Sequence, residues 1–273
     1  MTDGASTTER AEVGDSAQDA RAPAVRVVDL TKEFAGGVRA LGGVSFDIPR
    51  GELTSIIGPS GCGKTTTLKI IAGLIDATSG RVEVDGTPVT EPGPDRAFVF
   101  QDFALMPWAT VLRNVAFGLE MRGLARKERE GIARAYVDKV GLAGFEDAYP
   151  HQLSGGMRQR VGLARALAVD AEILLMDEPF ASVDEQIRRK FQEDLLQLLE
   201  DENKTVIFVT HSIEEAVYVS YQVVILTRGP GRVSKVVRPG IDHSAGSDTI
   251  RRSDAYLDWV EEIWGELQGY LER

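Results

Sequence analysis

Residues 58–65 read Gly58-Pro59-Ser60-Gly61-Cys62-Gly63-Lys64-Thr65. An apolar segment, Leu53–Ile57, precedes this run, and a segment with helical periodicity begins at Lys64. The glycines and the Lys-Thr pair match the phosphate-binding pattern G-x-x-x-x-G-K-[ST] at every fixed position. We therefore expect a strand, a glycine-rich turn and a helix whose N-terminus receives the phosphates of a nucleotide.

Each residue type in this run suits a triphosphate. The glycines let backbone N–H groups face phosphate oxygens, and Lys64 brings a charge to the β- and γ-phosphates. The hydroxyl of Thr65 suits Mg²⁺, and that of Thr66 reaches the α-phosphate. A dinucleotide-binding fingerprint would need glycine where Thr66 stands, which excludes that alternative. ATP binding is assigned to Gly58, Pro59, Ser60, Gly61, Cys62, Gly63, Lys64, Thr65 and Thr66.

Composition limits the class of protein. The 273 residues include 31 Lys and Arg against 42 Asp and Glu, a net charge of −11, which argues against nucleic acid as a partner. A single cysteine leaves no internal disulfide, and three histidines argue against a zinc cluster. We find no apolar run of the roughly 18 to 20 residues that span a membrane, and no signal-peptide pattern. Any membrane role is expected to come through a partner protein.

Strands and helices alternate along most of the chain, which predicts an α/β fold with a mostly parallel sheet. The expected division is a disordered tail over residues 1–23, a nucleotide-binding domain over 24–238 and a C-terminal extension over 239–273. Helical periodicity predicts an insertion within that domain at about 102–168.

The C-terminal extension contains an amphipathic helix. Its apolar face is predicted to contain Tyr256, Val260, Ile263, Trp264 and Leu267. This helix packs either on its own domain or against a partner.

Two carboxylates follow the buried-strand candidate Ile173–Met176. Because that strand ends beside the expected phosphate loop, we assign Asp177 to Mg²⁺ and Glu178 to the general base that polarises the attacking water. His211 follows the strand candidate over 205–210, where it can contact the γ-phosphate and position that water.

The run Leu153-Ser154-Gly155-Gly156-Met157 resembles the signature sequence of ATP-binding cassette (ABC) ATPases. The phosphate loop, Gln101, the signature, Asp177-Glu178, Asp184 and His211 follow that family's order and spacing, from Val25 to about Val237. The resemblance implies a P-loop nucleoside triphosphatase of the ABC type, with a mostly parallel core, an antiparallel β part and a helical insertion. It also implies hydrolysis of ATP with Mg²⁺, and it places Phe34 against adenine, for which core or surface packing is the alternative.

The same resemblance implies a site shared between two chains. In the family two domains pair head to tail around two ATP molecules, so Ser154, Gly155, Gly156 and Met157 would contact the nucleotide of a second copy. Asp184 would communicate between the two sites, and Gln101 would sense Mg²⁺ and the γ-phosphate. One phosphate loop and one signature occur here, so a homodimer is expected.

Two positions depart from the family pattern. Met157 stands where the signature more often has glutamine, and Ser212 stands where aspartate frequently follows the histidine. Neither change removes a group that binds phosphate or metal or acts as base, so active hydrolysis is expected.

The segment from Gln101 to Leu119 resembles the importer branch that handles nitrate, sulfonates and taurine. Phe103, Leu105, Met106 and Trp108 form an apolar cluster there, either for internal packing or to receive a short permease helix. We therefore expect the ATP-hydrolysing subunit of a membrane importer for a small solute, peripheral on the cytoplasmic face of the membrane.

Its expected partners are two transmembrane permease subunits and, indirectly, an extracytoplasmic solute-binding protein. The alternative is a soluble mechanical ATPase of the same fold that acts on a cytosolic assembly. Such proteins often contain a second cassette or a long coiled coil, and neither occurs in this sequence. Glu178 and His211 argue against a nucleotide-binding module without turnover.

Overall fold

The structure is a computed structural model that describes residues 22–180 and 185–271. Asp184 and the expected tail, apart from residues 22 and 23, lie outside the described residues. The strands are β1 (Val25–Phe34), β2 (Val38–Ile48), β3 (Leu53–Ile57), β4 (Ser79–Val84), β5 (Thr87–Pro88), β6 (Arg96–Val99), β7 (Ile173–Asp177), β8 (Thr205–Val209), β9 (Gln222–Leu226) and β10 (Val233–Val237). The helices are α1 (Lys64–Ile71), α2 (Val111–Met121), α3 (Arg126–Lys139), α4 (Gly155–Ala168), α5 (Glu185–Glu202), α6 (Ile213–Val219), α7 (Ser247–Ile250) and α8 (Asp254–Leu271).

The central sheet has the strand order β10-β9-β3-β8-β7-β6. Strands β9, β3, β8, β7 and β6 pair in parallel, and β10 is antiparallel to β9. Every residue of β3, β7, β8 and β9 is buried, which explains why these segments are almost continuously apolar and do not alternate. The predicted parallel core is confirmed.

A second, antiparallel sheet has the order β2-β1-β4-β5. Its inner side chains join one hydrophobic cluster with α1 and one face of the central sheet, as Val27, Leu68 and Ile207 illustrate. The helix that follows the phosphate loop is therefore packed into this core. The other face of the central sheet is covered by α4, α5, α6 and α8, which contribute Leu163, Leu195, Val217 and Ile263 to a second cluster.

Helices α2, α3 and α4 share a third cluster, for example through Val115, Val137 and Val161. Helix α4 also contributes Leu167 to the cluster on the central sheet. The helical insertion is thus joined to the sheet through the helix that begins at the signature.

The C-terminal helix α8 packs on its own domain, but one predicted contact was wrong. Tyr256 and Ile263 are buried, whereas Trp264 is 49% exposed. Each helical residue turns by about 100°, so Trp264 points away from the face that Ile263 occupies. Trp259 packs against the core instead. None of the helices in the described ranges is long and apolar enough to cross a membrane.

Candidate nucleotide-binding site

The phosphate loop connects β3 to α1 in a conformation that requires glycine. Gly63 has φ +96° and ends the loop at the start of α1, where a Cβ would lie 2.4 Å from Cδ2 of Leu41. A Cβ at Gly58 would lie 2.7 Å from the carbonyl oxygen of Leu226 and 2.8 Å from Sγ of Cys62. Strand β9 and the β2 segment therefore fix the shape of the loop, and side chains at these two positions would distort it.

Lys64 is buried and lies over the loop. Its Nζ donates hydrogen bonds to the carbonyl oxygens of Gly58 at 2.9 Å and Pro59 at 3.3 Å. An ammonium group has three donors, so a third N–H remains for a phosphate oxygen. The charge is held at the mouth of the loop by contacts within the same chain.

Cys62 belongs to the loop but not to its phosphate-facing surface. Its side chain is fully buried, and its backbone N–H donates to Pro59 O at 3.2 Å. Burial raises the pKa of the Cys62 thiol above its usual range. Its side chain therefore acts as a packing group, and its assignment to ATP binding stays a prediction.

Asp177 reaches the phosphate loop from the carboxyl end of β7. The hydroxyl of Thr65 donates to Oδ1 of Asp177 at 2.8 Å, so two of the three residues predicted for the metal, Thr65 and Asp177 but not Gln101, are in direct contact. Burial raises the pKa of the Asp177 carboxyl, and the hydrogen bond from Thr65 opposes that rise.

Thr65 and Asp177 present the oxygen ligands that Mg²⁺ prefers. The described part of the chain has no cluster of three or more His, Cys, Asp or Glu side chains able to hold a metal. A magnesium ion held by one carboxylate, one hydroxyl and the phosphates of its nucleotide does not require such a cluster. The residues present thus fit this ion.

Glu178 and His211 meet above the adjoining ends of β7 and β8. Oε2 of Glu178 lies 3.3 Å from Nδ1 of His211, which can donate to the carboxylate when Nδ1 carries the proton. The Glu178 side chain is 21% exposed and the His211 side chain 63% exposed. The predicted base is thus largely enclosed, while its histidine partner faces solvent.

The signature forms the N-terminus of α4. The hydroxyl of Ser154 caps the helix by accepting a hydrogen bond from the N–H of Met157 at 3.3 Å. Ser154 is exposed, and Gly155 and Gly156 are partly exposed in the first turn. The first N–H groups of a helix have no partner within it, so this end presents donors and positive potential to solvent.

An apolar platform lies on the hairpin of β1 and β2, and sequence reasoning found only half of it. Phe34 is 42% exposed and stands opposite Val38, which is 64% exposed. Its exposure excludes the core alternative for Phe34. An exposed ring beside an exposed aliphatic group offers a surface on which a flat base can stack. The missed signal was the position of Val38 across the Gly36-Gly37 turn.

The loop after β6 is joined to α4 by a residue that sequence reasoning missed. Gln101 is exposed at the start of this loop. The guanidinium of Arg165 donates to the carbonyl oxygens of Phe103 at 2.6 Å and Ala104 at 2.7 Å. These two hydrogen bonds join the loop to the signature helix.

The predicted apolar cluster in the same loop divides into two parts. Phe103 is buried, Leu105 and Met106 are half-buried, and Trp108 is 74% exposed. Phe103 therefore belongs to the internal packing. The Trp108 ring is mostly exposed on the described structure, so it can contact another molecule.

Comparisons with known proteins agree with this geometry. Residues 41–181 match the family model described as ABC transporter. An uncharacterized ABC transporter ATP-binding protein of Methanocaldococcus jannaschii is 51% identical over 247 residues, which cover 89% of this chain and 91% of that protein.

Several relatives carry names that mention a solute, either nitrate or taurine. The nitrate import ATP-binding protein of a Synechocystis strain is 40% identical, with 90% of this chain and 95% of that protein covered. The taurine import ATP-binding protein of Rhizobium johnstonii is 45% identical, with 86% and 92% covered. Among solved structures, a dimeric ATP-binding cassette in a post-hydrolysis state bound to ADP and Pi is similar at TM-score 0.71 and 34% identity, covering 78% of this chain and 98% of that chain.

Proposed function

This chain belongs to the ABC transporter family, and from that premise we propose that it is the ATP-hydrolysing subunit of a membrane importer for a small solute of the nitrate, sulfonate or taurine kind. The observation that carries the ATPase part is the convergence of Lys64, Thr65, Asp177, Glu178 and His211 at the carboxyl edge of β3, β7 and β8. Parallel α/β sheets place their ligand sites at this edge.

In the proposed reaction, Lys64 and the loop N–H groups hold the β- and γ-phosphates of ATP. Glu178 accepts a proton from a water molecule whose oxygen attacks the γ-phosphorus. The bond from that phosphorus to the β–γ bridging oxygen breaks, so that ADP and inorganic phosphate form. Mg²⁺ held at Thr65 and Asp177 would neutralise charge on the phosphate oxygens.

His211 is proposed to orient Glu178 and to contact the γ-phosphate. Its imidazole lies 3.3 Å from the carboxylate, close enough to fix one rotamer of the acid. Gln101 is proposed to sense the metal and the γ-phosphate from its exposed loop, and Phe34 to stack on adenine together with Val38.

A homodimer is proposed to complete each site. Ser154, Gly155, Gly156 and Met157 of one copy would receive the γ-phosphate held by the other, at a helix N-terminus suited to an anion. The dimeric cassette described above supports this arrangement. Asp184, between the described ranges, is proposed to communicate between the two sites.

Exposed apolar side chains support docking to two permease subunits on the cytoplasmic face of the membrane. Trp108 is 74% exposed, and on α2 Met121 is 67% and Phe117 is 40% exposed. Phe117 and Met121 are four residues apart and so lie on one side of that helix. An extracytoplasmic solute-binding protein would act through these permeases. We also propose the domain division inferred from the sequence. The nucleotide-binding domain comprises residues 24–238, with a helical insertion at about 102–168, and the C-terminal extension comprises residues 239–273.

Affinity purification of the tagged full chain from membranes tests the transport part. We expect a polytopic membrane protein to be recovered with the wild-type chain. Recovery should fall when Trp108→Ser and Met121→Ser are combined, because both side chains lose apolar contact area. Leu257→Ser, which alters a side chain 50% exposed on α8, is the matched control. Recovery of soluble partners alone would contradict transport and favour the mechanical ATPase.

A further inference from the structure

The turn that carries Glu178 has a strained backbone. Glu178 has φ +46°, in the left-handed region that residues other than glycine seldom adopt. Pro179 follows it and restricts its backbone further. Such conformations persist only where surrounding contacts impose them, so the position of the Glu178 carboxylate depends on what holds this turn.

Two of the contacts that hold the turn come from the core. The N–H of Glu178 donates to Val209 O at 2.9 Å, which joins the turn to β8. Phe180 is buried, with its ring 5.5 Å from that of Phe191 and 5.4 Å from that of Phe208 between centroids. These ring contacts are part of the hydrophobic core on one face of the central sheet.

The third contact comes from the signature helix. Nε2 of Gln159 donates a hydrogen bond to the carbonyl oxygen of Pro179. Gln159 is 1% exposed and lies in α4, five residues after Ser154, or roughly 7.5 Å along the helix axis. The same helix therefore begins at the signature and contacts the turn of the candidate base.

The other end of this side chain is unsatisfied. Oε1 of Gln159 is buried and has no hydrogen-bond partner within residues 22–180 and 185–271. An unpaired buried acceptor destabilises the folded state, and a hydrocarbon of the same size would avoid that cost. Stability alone does not explain a glutamine at this position.

We propose that Gln159 is a positioning residue that couples the signature to Glu178 of the same chain. Because a helix moves as a rigid unit over one or two turns, displacement of Ser154 by a partner's nucleotide would reach the Pro179 carbonyl through the Gln159 side chain. The Glu178 carboxylate then reaches its catalytic position when the signature of the same chain binds the nucleotide held by the partner. This inference rests on the proposed function and adds a route between the two sites through described residues.

Two buried glutamines allow a matched test in the full chain. Gln222 is 2% exposed, and its Nε2 also donates to a backbone carbonyl, that of Asp47 at 2.8 Å, at the start of β9. Gln159→Met and Gln222→Met remove the same kind of bond and nearly conserve volume. We expect Gln159→Met to lower Tm no more than Gln222→Met does, because it also removes the unpaired acceptor Oε1. Only Gln159→Met should lower kcat, by about tenfold or more, with the Kd for ATP within about twofold of wild type.

A second measurement separates positioning from assembly. In a Glu178→Gln background, Gln159→Met should still form the ATP-dependent dimer. If the Met variant does not fold, Gln159→Asn replaces it, because its amide is one methylene too short to reach Pro179, and Gln222→Asn becomes the control.

Equal kcat in the Gln159 and Gln222 variants would overturn the coupling role while leaving the ATPase intact, as would loss of the dimer. A wild-type chain that fails to hydrolyse ATP would instead overturn the proposed function.

Discussion

The phosphate loop and the signature both present backbone N–H groups at the start of a helix, yet their surroundings differ. The phosphate loop is built into the core: Lys64 is 7% exposed and is hydrogen-bonded to the loop itself. The signature lies at the end of α4 in the helical insertion, with Ser154 exposed to solvent. The phosphate loop is thus surrounded by a charge, the proposed metal ligands and the proposed base, whereas the signature presents a helix terminus to solvent.

This difference indicates a division of labour. Within a single chain, Lys64, Thr65 and Asp177, the groups proposed to bind the nucleotide and its metal, are held together by hydrogen bonds. The signature has no comparable set of groups around it in the described structure, and its donors suit a phosphate that another chain supplies. Binding should therefore depend on one region, and turnover on both.

The largest effect is expected from a substitution that blocks hydrolysis while the phosphate loop and the signature can both still bind the nucleotide. Glu178→Gln removes the proton acceptor, so kcat should fall about 10²- to 10⁴-fold in a phosphate-release assay. ATP binding should persist, and size-exclusion chromatography should show a dimer that requires ATP. A Glu214→Gln variant, altered at an exposed acid on α6, should turn over normally. Full activity of Glu178→Gln would remove Glu178 from the role of base.

Next in size is the loss of the phosphate-loop charge. Lys64→Ala should weaken ATP binding about 10- to 100-fold, the range expected for a charged hydrogen bond, when measured by calorimetry on the full chain. Lys127→Ala makes the same charge change at an exposed site on α3 and should leave the Kd unchanged. Undiminished affinity of Lys64→Ala would contradict the binding role of the loop.

A smaller effect, on turnover alone, is expected at the signature. Ser154→Ala should lower kcat roughly tenfold while the Kd for ATP of the separate chain stays within about twofold. Thr110 is a matched control because it caps α2 with the same geometry, accepting from the N–H of Arg113 at 3.3 Å. Both alanine variants should lose about 0.5 to 2 kcal/mol of stability. Equal kcat in the two would show that Ser154 is only a helix cap.

The smallest effect is a gain in stability at Asp177, the proposed metal ligand. The pKa of Asp177 is raised, so the folded state disfavours its ionised form, and this loss of stability is present at neutral pH. Asp177→Asn removes the charge and should therefore raise Tm at pH 7 in a thermal unfolding experiment. The difference should vanish as the pH falls towards the ordinary pKa of an aspartate. A lower Tm at pH 7 would contradict the burial effect.

The sequence predicted the phosphate-loop region more fully than the rest. The predicted strand Leu53–Ile57 coincides with β3, because an apolar run bounded by glycines leaves little freedom in its limits. The meeting of Glu178 with His211 also followed from local pattern, since neighbouring parallel strands end at one edge.

Contacts between distant elements could not be predicted in this way. The hydrogen bonds of Arg165 to Phe103 and of Gln159 to Pro179 depend on how α4 packs, which periodicity does not specify. The wrong orientation of Trp264 has the same origin, because an amphipathic pattern fixes the buried face of a helix only to within about one residue, or 100°.

Mixing two inactive chains tests the shared site most directly. Lys64→Ala retains its signature and Ser154→Arg retains its phosphate loop, so a mixed dimer contains one intact site. Random pairing makes half of the dimers mixed, so one intact site in each would give up to about one quarter of the wild-type ATPase rate. Because that site uses Glu178 of the chain whose own signature is altered, the proposed Gln159 coupling lowers this limit about tenfold, and we predict a rate that still exceeds the sum of the separate components. A mixture no more active than the sum of its separate components would show that the signature of one chain does not act on the nucleotide of the other.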